Sequence, residues 1–256
     1  MQPSELPPLD AHAHIAADVT AVQVRGLESA VVFAMTRSVK EAQYTLRPGA
    51  ASSERLVWGL GSHPGVEQTL AQFDGSAFER AVTRFALIGE VGLDRRGDNA
   101  RQTSMFRAVL RAAAAQPVLL SVHSTGRCAA VLDEIERAPH AGFILHWFNG
   151  SVQEIERAVR LGCYFSFNAA MSEATLARIP YDRVLTETDF PASRGKTGAS
   201  RPGDVARIER LLRKQHGPNV RRQVWQNLAG VCRHSGADQQ MPRQIREILD
   251  RLSSSS

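Results

Sequence analysis

Eight short apolar runs, each ending in polar residues and each followed by a stretch of helical spacing, constrain this chain more than any other feature. The runs fall at 9–14, 30–35, 56–63, 85–91, 118–123, 143–146, 164–168 and 184–189. The second and fifth contain VVFAM and VLLSV, nearly continuous apolar segments, as required of strands buried on both faces. Strand–helix alternation with eight strands predicts an α/β fold, a (β/α)8 TIM barrel. A barrel of about 250 residues is ordinary, and no Pro/Gly/Ser linker divides this 256-residue sequence. We therefore expect one domain over 1–252 and a disordered tail at 253–256.

Helical candidates fill the intervals. Residues 100–115 carry Met105, Phe106, Val109, Leu110 and Ala113 on one face. Segments 124–137 and 151–161 each begin with a serine suited to an N-cap, and Ser151 has Glu154 three residues on, the capping-box spacing. Asp204 is expected to cap a helix over 205–215, and Pro218 with Asn219 to start one running to about 233. The chain between the first and third runs is short, so the first two helices should be abbreviated. Residues 195–203 read as a polar loop after the eighth strand, where barrels carry functional loops.

Composition bounds the setting. Apolar residues make up 43% and charged residues 22%, an ordinary globular balance. The formal charge of +5 comes largely from late segments, in Arg207, Arg210, Arg213, Lys214, Arg221, Arg222 and Arg233. It reads either as a solvated basic surface or as a surface suited to phosphate-rich partners. Cys128, Cys163 and Cys232 are widely spaced and odd in number, which argues for a reducing compartment rather than a disulfide framework. The N-terminus lacks a basic region followed by an apolar one, and no apolar run approaches the roughly 20 residues of a membrane helix. A cytoplasmic protein with no membrane contact is expected.

The chemistry lies at the strand ends. The first run closes on Asp10-Ala-His12-Ala-His14, and a period of two places both imidazoles on one side of the strand. Two inward histidines are poor core filler, because each carries ring nitrogens that need partners. The fourth run delivers Glu90 in apolar surroundings, where a carboxylate requires a cationic partner. That partner is either Arg95 or Arg96 in a salt bridge, or a metal. His123 and His146 close the fifth and sixth runs, and Asp189 the eighth. Mixed imidazole and carboxylate donors suit a first-row divalent ion. One ion is expected on His12, His14, Glu90 and Asp189, and a second on Glu90, His123 and His146.

With these segments in view, the sequence resembles the TatD-type metal-dependent hydrolases of the amidohydrolase-like barrels. The resemblance runs from about residue 9 to 227. Its segments are DAHAH at 10–14, GSHP at 61–64, IGEVGLD at 88–94, QPVLLSVHS at 116–124, ILHWFNGS at 144–151, GCYFSFN at 162–168, RVLTETDFP at 183–191 and a late Asn227. It implies a (β/α)8 fold, two divalent ions (zinc, manganese or magnesium) and phosphodiester hydrolysis, typically exonuclease action on DNA. It implies ligand roles for His12, His14, Glu90, His123, His146 and Asp189, and places His63 near the substrate phosphate. Two departures stand out. Arg95 and Arg96 replace aromatic residues after the GLD segment, and the loop after the last strand carries Arg194 and Lys196 instead of a histidine.

The expected mechanism has Asp189 orient or deprotonate the attacking water, Glu90 bridge the ions, and His63 donate to the phosphate or the leaving oxygen. Arg95, Arg96, Arg194 and Lys196 are candidate phosphate contacts, and Trp147 is a candidate stacking platform for a base. Phe148 and Phe167 are either rim aromatics or core. Small-molecule amide or phosphoester hydrolysis on the same barrel is the second reading. The third is a subunit of a larger antiphage-defence or repair assembly with protein partners. His140 is expected in a turn, His216 and His234 at helix ends capping carbonyls, and the cysteines as small buried apolar groups.

Overall fold

The computed structural model describes residues 6–192 and 194–253; the expected tail beyond 253, the first five residues and Ser193 lie outside them. The eight strands are β1 (Leu9–His14), β2 (Val31–Met35), β3 (Leu56–Leu60), β4 (Leu87–Gly92), β5 (Leu119–His123), β6 (Phe143–His146), β7 (Tyr164–Phe167) and β8 (Val184–Thr186). They pair in chain order and all in parallel. Parallel pairing requires a crossover between neighbours, and helical segments supply it. Every residue of β2, β4 and β5 is buried, as their apolar runs require.

The first helices, α1 (Ala21–Arg25) and α2 (Val39–Thr45), are short, as the spacing demanded. Beyond β3 come α3 (Glu67–Ala71) and α4 (Gly75–Val82), and beyond β4 comes α5 (Asn99–Ala113). The predicted face of α5 is the buried one: Met105, Phe106, Val109, Leu110 and Ala113 all face inward. Helix α6 (Cys128–Glu136) starts later than expected, and Ser124 does not cap it. Residues 124–127 turn on a bond from the Arg127 amide to the Ser124 carbonyl instead. Helix α7 (Val152–Arg160) has the capping box that Ser151 and Glu154 forecast.

After β7 and a short α8 (Glu173–Leu176), the loop that follows β8 contains one turn of helix, α9 (Arg194–Thr197), rather than coil throughout. Asp204 does not cap α10 (Ala206–His216); its carboxylate accepts from the amide and hydroxyl of Ser200. The chain continues through α11 (Val220–Ser235) and α12 (Arg243–Ser253), the latter taking in Ser253, which was expected to begin the disordered tail. Asn227 on α11 donates to the carbonyls of Tyr181 and Val184, both 2.8 Å away, fixing the start of β8. Among the described residues, no helix is long and apolar enough to cross a membrane.

The cylinder closes where β1 meets the segment after β8. The Asp189 amide donates to the His12 carbonyl at 2.9 Å and the His14 amide to the Phe190 carbonyl at 2.6 Å. Asp10, wholly buried, reinforces the seam: it accepts from the Thr188 amide at 2.9 Å, the Thr188 hydroxyl at 2.7 Å and the Gly203 amide at 2.7 Å. Burial pushes its carboxyl up to about 7, against the pull of those donors. The ladder is irregular at two points, between Asp10 and Ala13 and between Ile88 and Val91. These bracket His12 and Glu90, and such irregularities re-aim side chains.

Removing the Asp10 acceptor takes the partner from the Thr188 amide and hydroxyl and the Gly203 amide, and a longer bond from the His12 amide, each buried donor left unpaired costing roughly 1–3 kcal/mol. Asp10→Ala is expected to lower the urea unfolding free energy by at least about 3 kcal/mol. Asp10→Asn, which keeps one acceptor oxygen, should lose less. Equal stability of Asp10→Ala and the parent would contradict this role for the seam.

Candidate metal centre

The strand ends meet in a crater of about 680 Å³ whose wall includes His14, His63, Glu90, His123, His146 and Asp189. Glu90 sits at its centre, 1% exposed. Its carboxylate divides the surrounding imidazoles. On the Oε2 side lie His14 Nε2 at 3.0 Å, His63 Nε2 at 3.2 Å and His12 Nε2 at 3.7 Å. On the Oε1 side lie His123 Nδ1 at 2.5 Å and His146 Nε2 at 3.7 Å. Asp189 Oδ1 adds a second carboxylate, 3.8 Å from His12 Nε2 and 3.9 Å from His14 Nε2. All of the sequence-derived ligand candidates therefore converge.

The alternative partner for Glu90 does not form. Arg96 turns to Asp94, with Nε and Nη2 each 2.9 Å from its carboxylate, and Arg95 lines the crater wall. A carboxylate with no guanidinium among five imidazoles is a site that wants a cation. Two buried atoms facing one another carry the test: His12 Nε2 and Glu90 Oε2 make no hydrogen bond. Groups able to hold an ion include His12 with His14 and Glu90, and His12 with His146 and Glu187.

Partners behind the ring orient the imidazoles. His12 Nδ1 lies 2.8 Å from Ser121 Oγ; with that proton donated to the hydroxyl, Nε2 presents its lone pair. His146 Nδ1 lies 3.1 Å from Glu187, whose carboxylate also accepts from Asn168 Nδ2 and the Ser166 hydroxyl. His123 Nε2 lies 2.8 Å from Asp94. His63 differs. Its Nδ1 accepts from the Gly65 amide at 2.9 Å, which places the ring proton on Nε2, facing Glu90. It is built to donate rather than to ligate. Glu187, Asp94, Ser121 and the Gly65 amide went unassigned in the sequence; the available signal was that Glu187 and Asp94 lie in strand-end segments on the same rim as the histidines.

Electrostatics follow the same division. Burial, His146 and the other rings drive His12 well below the ordinary imidazole value, and burial pushes His63 down to about 4, so both are neutral near pH 7. Burial works against protonation of His123 and His146 too, but Glu90 and Asp94 hold His123 up at about 8, and Glu187 holds His146 up at about 10. Burial opposes ionisation of Glu90, yet His123 and His63 hold it well below the carboxylate range. Burial raises Asp189 to about 6.

The crater rim is basic, with Arg37, Arg95, Arg96 and Lys196 along it, and Trp147 beside His146. Arg37 was not singled out in the sequence. Arg194 lies 4.5 Å over the Phe190 ring instead of on the crater wall. Phe148 and Phe167 are fully buried and belong to the core, which removes them as stacking platforms. Trp147 and Asp189 both have positive φ, 39° and 49°. Such conformations cost energy and concentrate at functional sites. Away from the crater, His140 Nδ1 accepts from Gly142 in a turn. His216 stacks on Tyr181, ring centres 4.0 Å apart, rather than capping a carbonyl. Cys163 and Cys232 are buried, whereas Cys128 is only partly so.

Comparison with known proteins gives the family and the fold. The sequence model of the TatD related DNase family matches residues 9–233. The chain belongs to that family. It is thereby a metal-dependent hydrolase. It is 29% identical over 183 residues to the Escherichia coli protein named uncharacterized metal-dependent hydrolase YjjV, covering 64% of this chain and 70% of that one. It is 35% identical over 130 residues to the 3'-5' ssDNA/RNA exonuclease TatD of Cronobacter sakazakii, covering 45% of this chain and 49% of the exonuclease. The crystal structure of YjjV superposes with a TM-score of 0.74 at 21% identity, over 87% of this chain and 96% of YjjV. A TatD family hydrolase of Entamoeba histolytica gives 0.71 at 15%, over 89% and 99%. These superpositions establish the TatD barrel fold.

Protons on His123 and His146 must leave before their nitrogens can bind an ion. Manganese affinity, measured by chelator competition, is therefore expected to rise as the pH is raised from 6 to 8, by roughly tenfold per unit for each proton released. An affinity that stays flat across that range would contradict the assigned protonation.

Proposed function

We propose that this TatD-family hydrolase cleaves phosphodiesters in DNA, as an exonuclease working from a strand end with two divalent ions. The observation that carries the reading is the split carboxylate of Glu90, which offers one oxygen to His12 and His14 and the other to His123 and His146. Asp189 completes the first set. The donor mixture of imidazole nitrogen and carboxylate oxygen suits zinc or manganese, and magnesium is the third candidate. Bound there, the ions supply Lewis acidity that brings water within reach of deprotonation near neutral pH and offsets charge on the phosphate.

The chain's own groups do the rest. Asp189, raised to about 6, is placed to orient the attacking water and accept its proton. His63, neutral and with its proton on Nε2, donates to a phosphate oxygen or to the leaving oxygen. Arg37, Arg95, Arg96 and Lys196 hold a polyanion over the crater, and Trp147 stacks against one of its bases. Arg194, above Phe190, takes a phosphate farther along the strand. The printed name of the Cronobacter relative, an exonuclease on single-stranded DNA and RNA, supports the choice of substrate. Three unpaired cysteines support a reducing, cytoplasmic setting.

His12→Ala and Glu90→Ala are expected to lose bound metal by elemental analysis. Degradation of single-stranded oligonucleotides with added manganese or magnesium should fall at least about 100-fold, with the circular dichroism of the barrel unchanged. Full nuclease activity in either variant would overturn the assignment.

A further inference from the structure

A second groove, of about 670 Å³, opens beside the crater, and His14 lines both. Its floor is apolar and separate from the main core. Ile15 belongs to a satellite cluster on the outer side of the first strands, and Val19, Leu27 and Phe190 pack on that cluster while remaining partly exposed. We propose that this groove is a nucleobase subsite, holding the base of the nucleotide whose phosphate lies in the crater. The proposal rests on the phosphodiesterase reading above and names where that substrate's base goes.

Three observations select this occupant. The first is continuity: His14, a member of the candidate metal centre, also lines the groove, so a nucleotide with its phosphate in the crater has the groove beside it. The second is shape and polarity. The volume suits a small ligand, and an apolar floor with a few polar groups at the edge is the environment a flat heteroaromatic ring needs. The edge holds Asp18 as an acceptor and Gln23 as a donor. Gln23 Oε1 is already taken by the amide and hydroxyl of Thr20, each 2.9 Å away, which leaves its NH2 for a ring nitrogen or carbonyl. The third is charge. Arg201 also lines the groove, its guanidinium held by a 3.0 Å bond to the Gly26 carbonyl, and Arg194 lies over Phe190. One cation of the groove wall, Arg201, and a second over the ring of its Phe190 suit a base attached to a phosphate.

The test compares a ligand with a base against one without. Equilibrium dialysis of the manganese-loaded protein with 2'-deoxyadenosine 5'-monophosphate and with 2-deoxyribose 5-phosphate gives an affinity ratio that needs no turnover. The parent protein is expected to bind the nucleotide at least about tenfold more tightly, since a base that leaves water for an apolar slot adds affinity that a sugar phosphate lacks. Ala16→Trp, at an exposed position lining the groove, should bring the ratio to about one by filling the slot. A ratio near one in the parent overturns the subsite, whatever the variant does. A high ratio that survives Ala16→Trp in a folded variant overturns its location. If no oligonucleotide is cleaved while the high ratio and its loss in Ala16→Trp both hold, the nuclease reading falls and the subsite stands.

Discussion

A carboxylate buried at the centre of a barrel, with imidazoles on both of its oxygens, is the constraint from which the rest of the arrangement follows. Taking the charge of Glu90 out of water costs several kcal/mol unless compensation is close and well placed. Among the described residues no guanidinium pairs with it. Compensation comes from five rings carried by the first, third, fifth and sixth strand ends. Each ring that faces Glu90 with one nitrogen must dispose of the other. Ser121, Asp94, Glu187 and the Gly65 amide perform that service for His12, His123, His146 and His63, whereas Nδ1 of His14 is buried without a hydrogen bond. The site is thus a carboxylate inside a ring of imidazoles, most of them backed by a second layer of acceptors and donors.

The closure of the barrel serves the same end. Asp189 reaches the first set of imidazoles from a segment that is hydrogen-bonded to β1 and held by Asp10 through Thr188 and Gly203. Its positive φ is sustained by that seam. Gly92, at φ 132°, lets β4 pass the carbonyl of His123, into which a Cβ would run. Fold stability and site geometry therefore share residues at the β1–β8 junction and along β4.

Much of this was legible in the sequence, for physical reasons that differ by residue. Continuous apolar runs mark strands buried on two faces, so β2 and β5 stood out, and period-two spacing put His12 and His14 on one side of β1. The ligand candidates were legible because strand ends in a parallel barrel share one rim. Partner choice was not. Arg96 could have paired with Glu90 or with Asp94, and only the turn after β4 decides for Asp94. Ser124 and Asp204 had the right chemistry for caps, but the backbone before α6 and α10 spends them elsewhere. The tautomer of His63 depends on an amide two residues away whose direction no spacing rule gives. Phe148 and Phe167 sit beside rim residues in sequence and yet face the core.

The central claim is that Glu90 joins two cation positions. Crystals grown with manganese and measured at its absorption edge test it most directly. Two anomalous peaks are expected, one near each oxygen of the Glu90 carboxylate, the first also beside His12, His14 and Asp189 and the second beside His123 and His146. Peaks absent from the crater, or a single peak that leaves one Glu90 oxygen without an ion, would contradict the account.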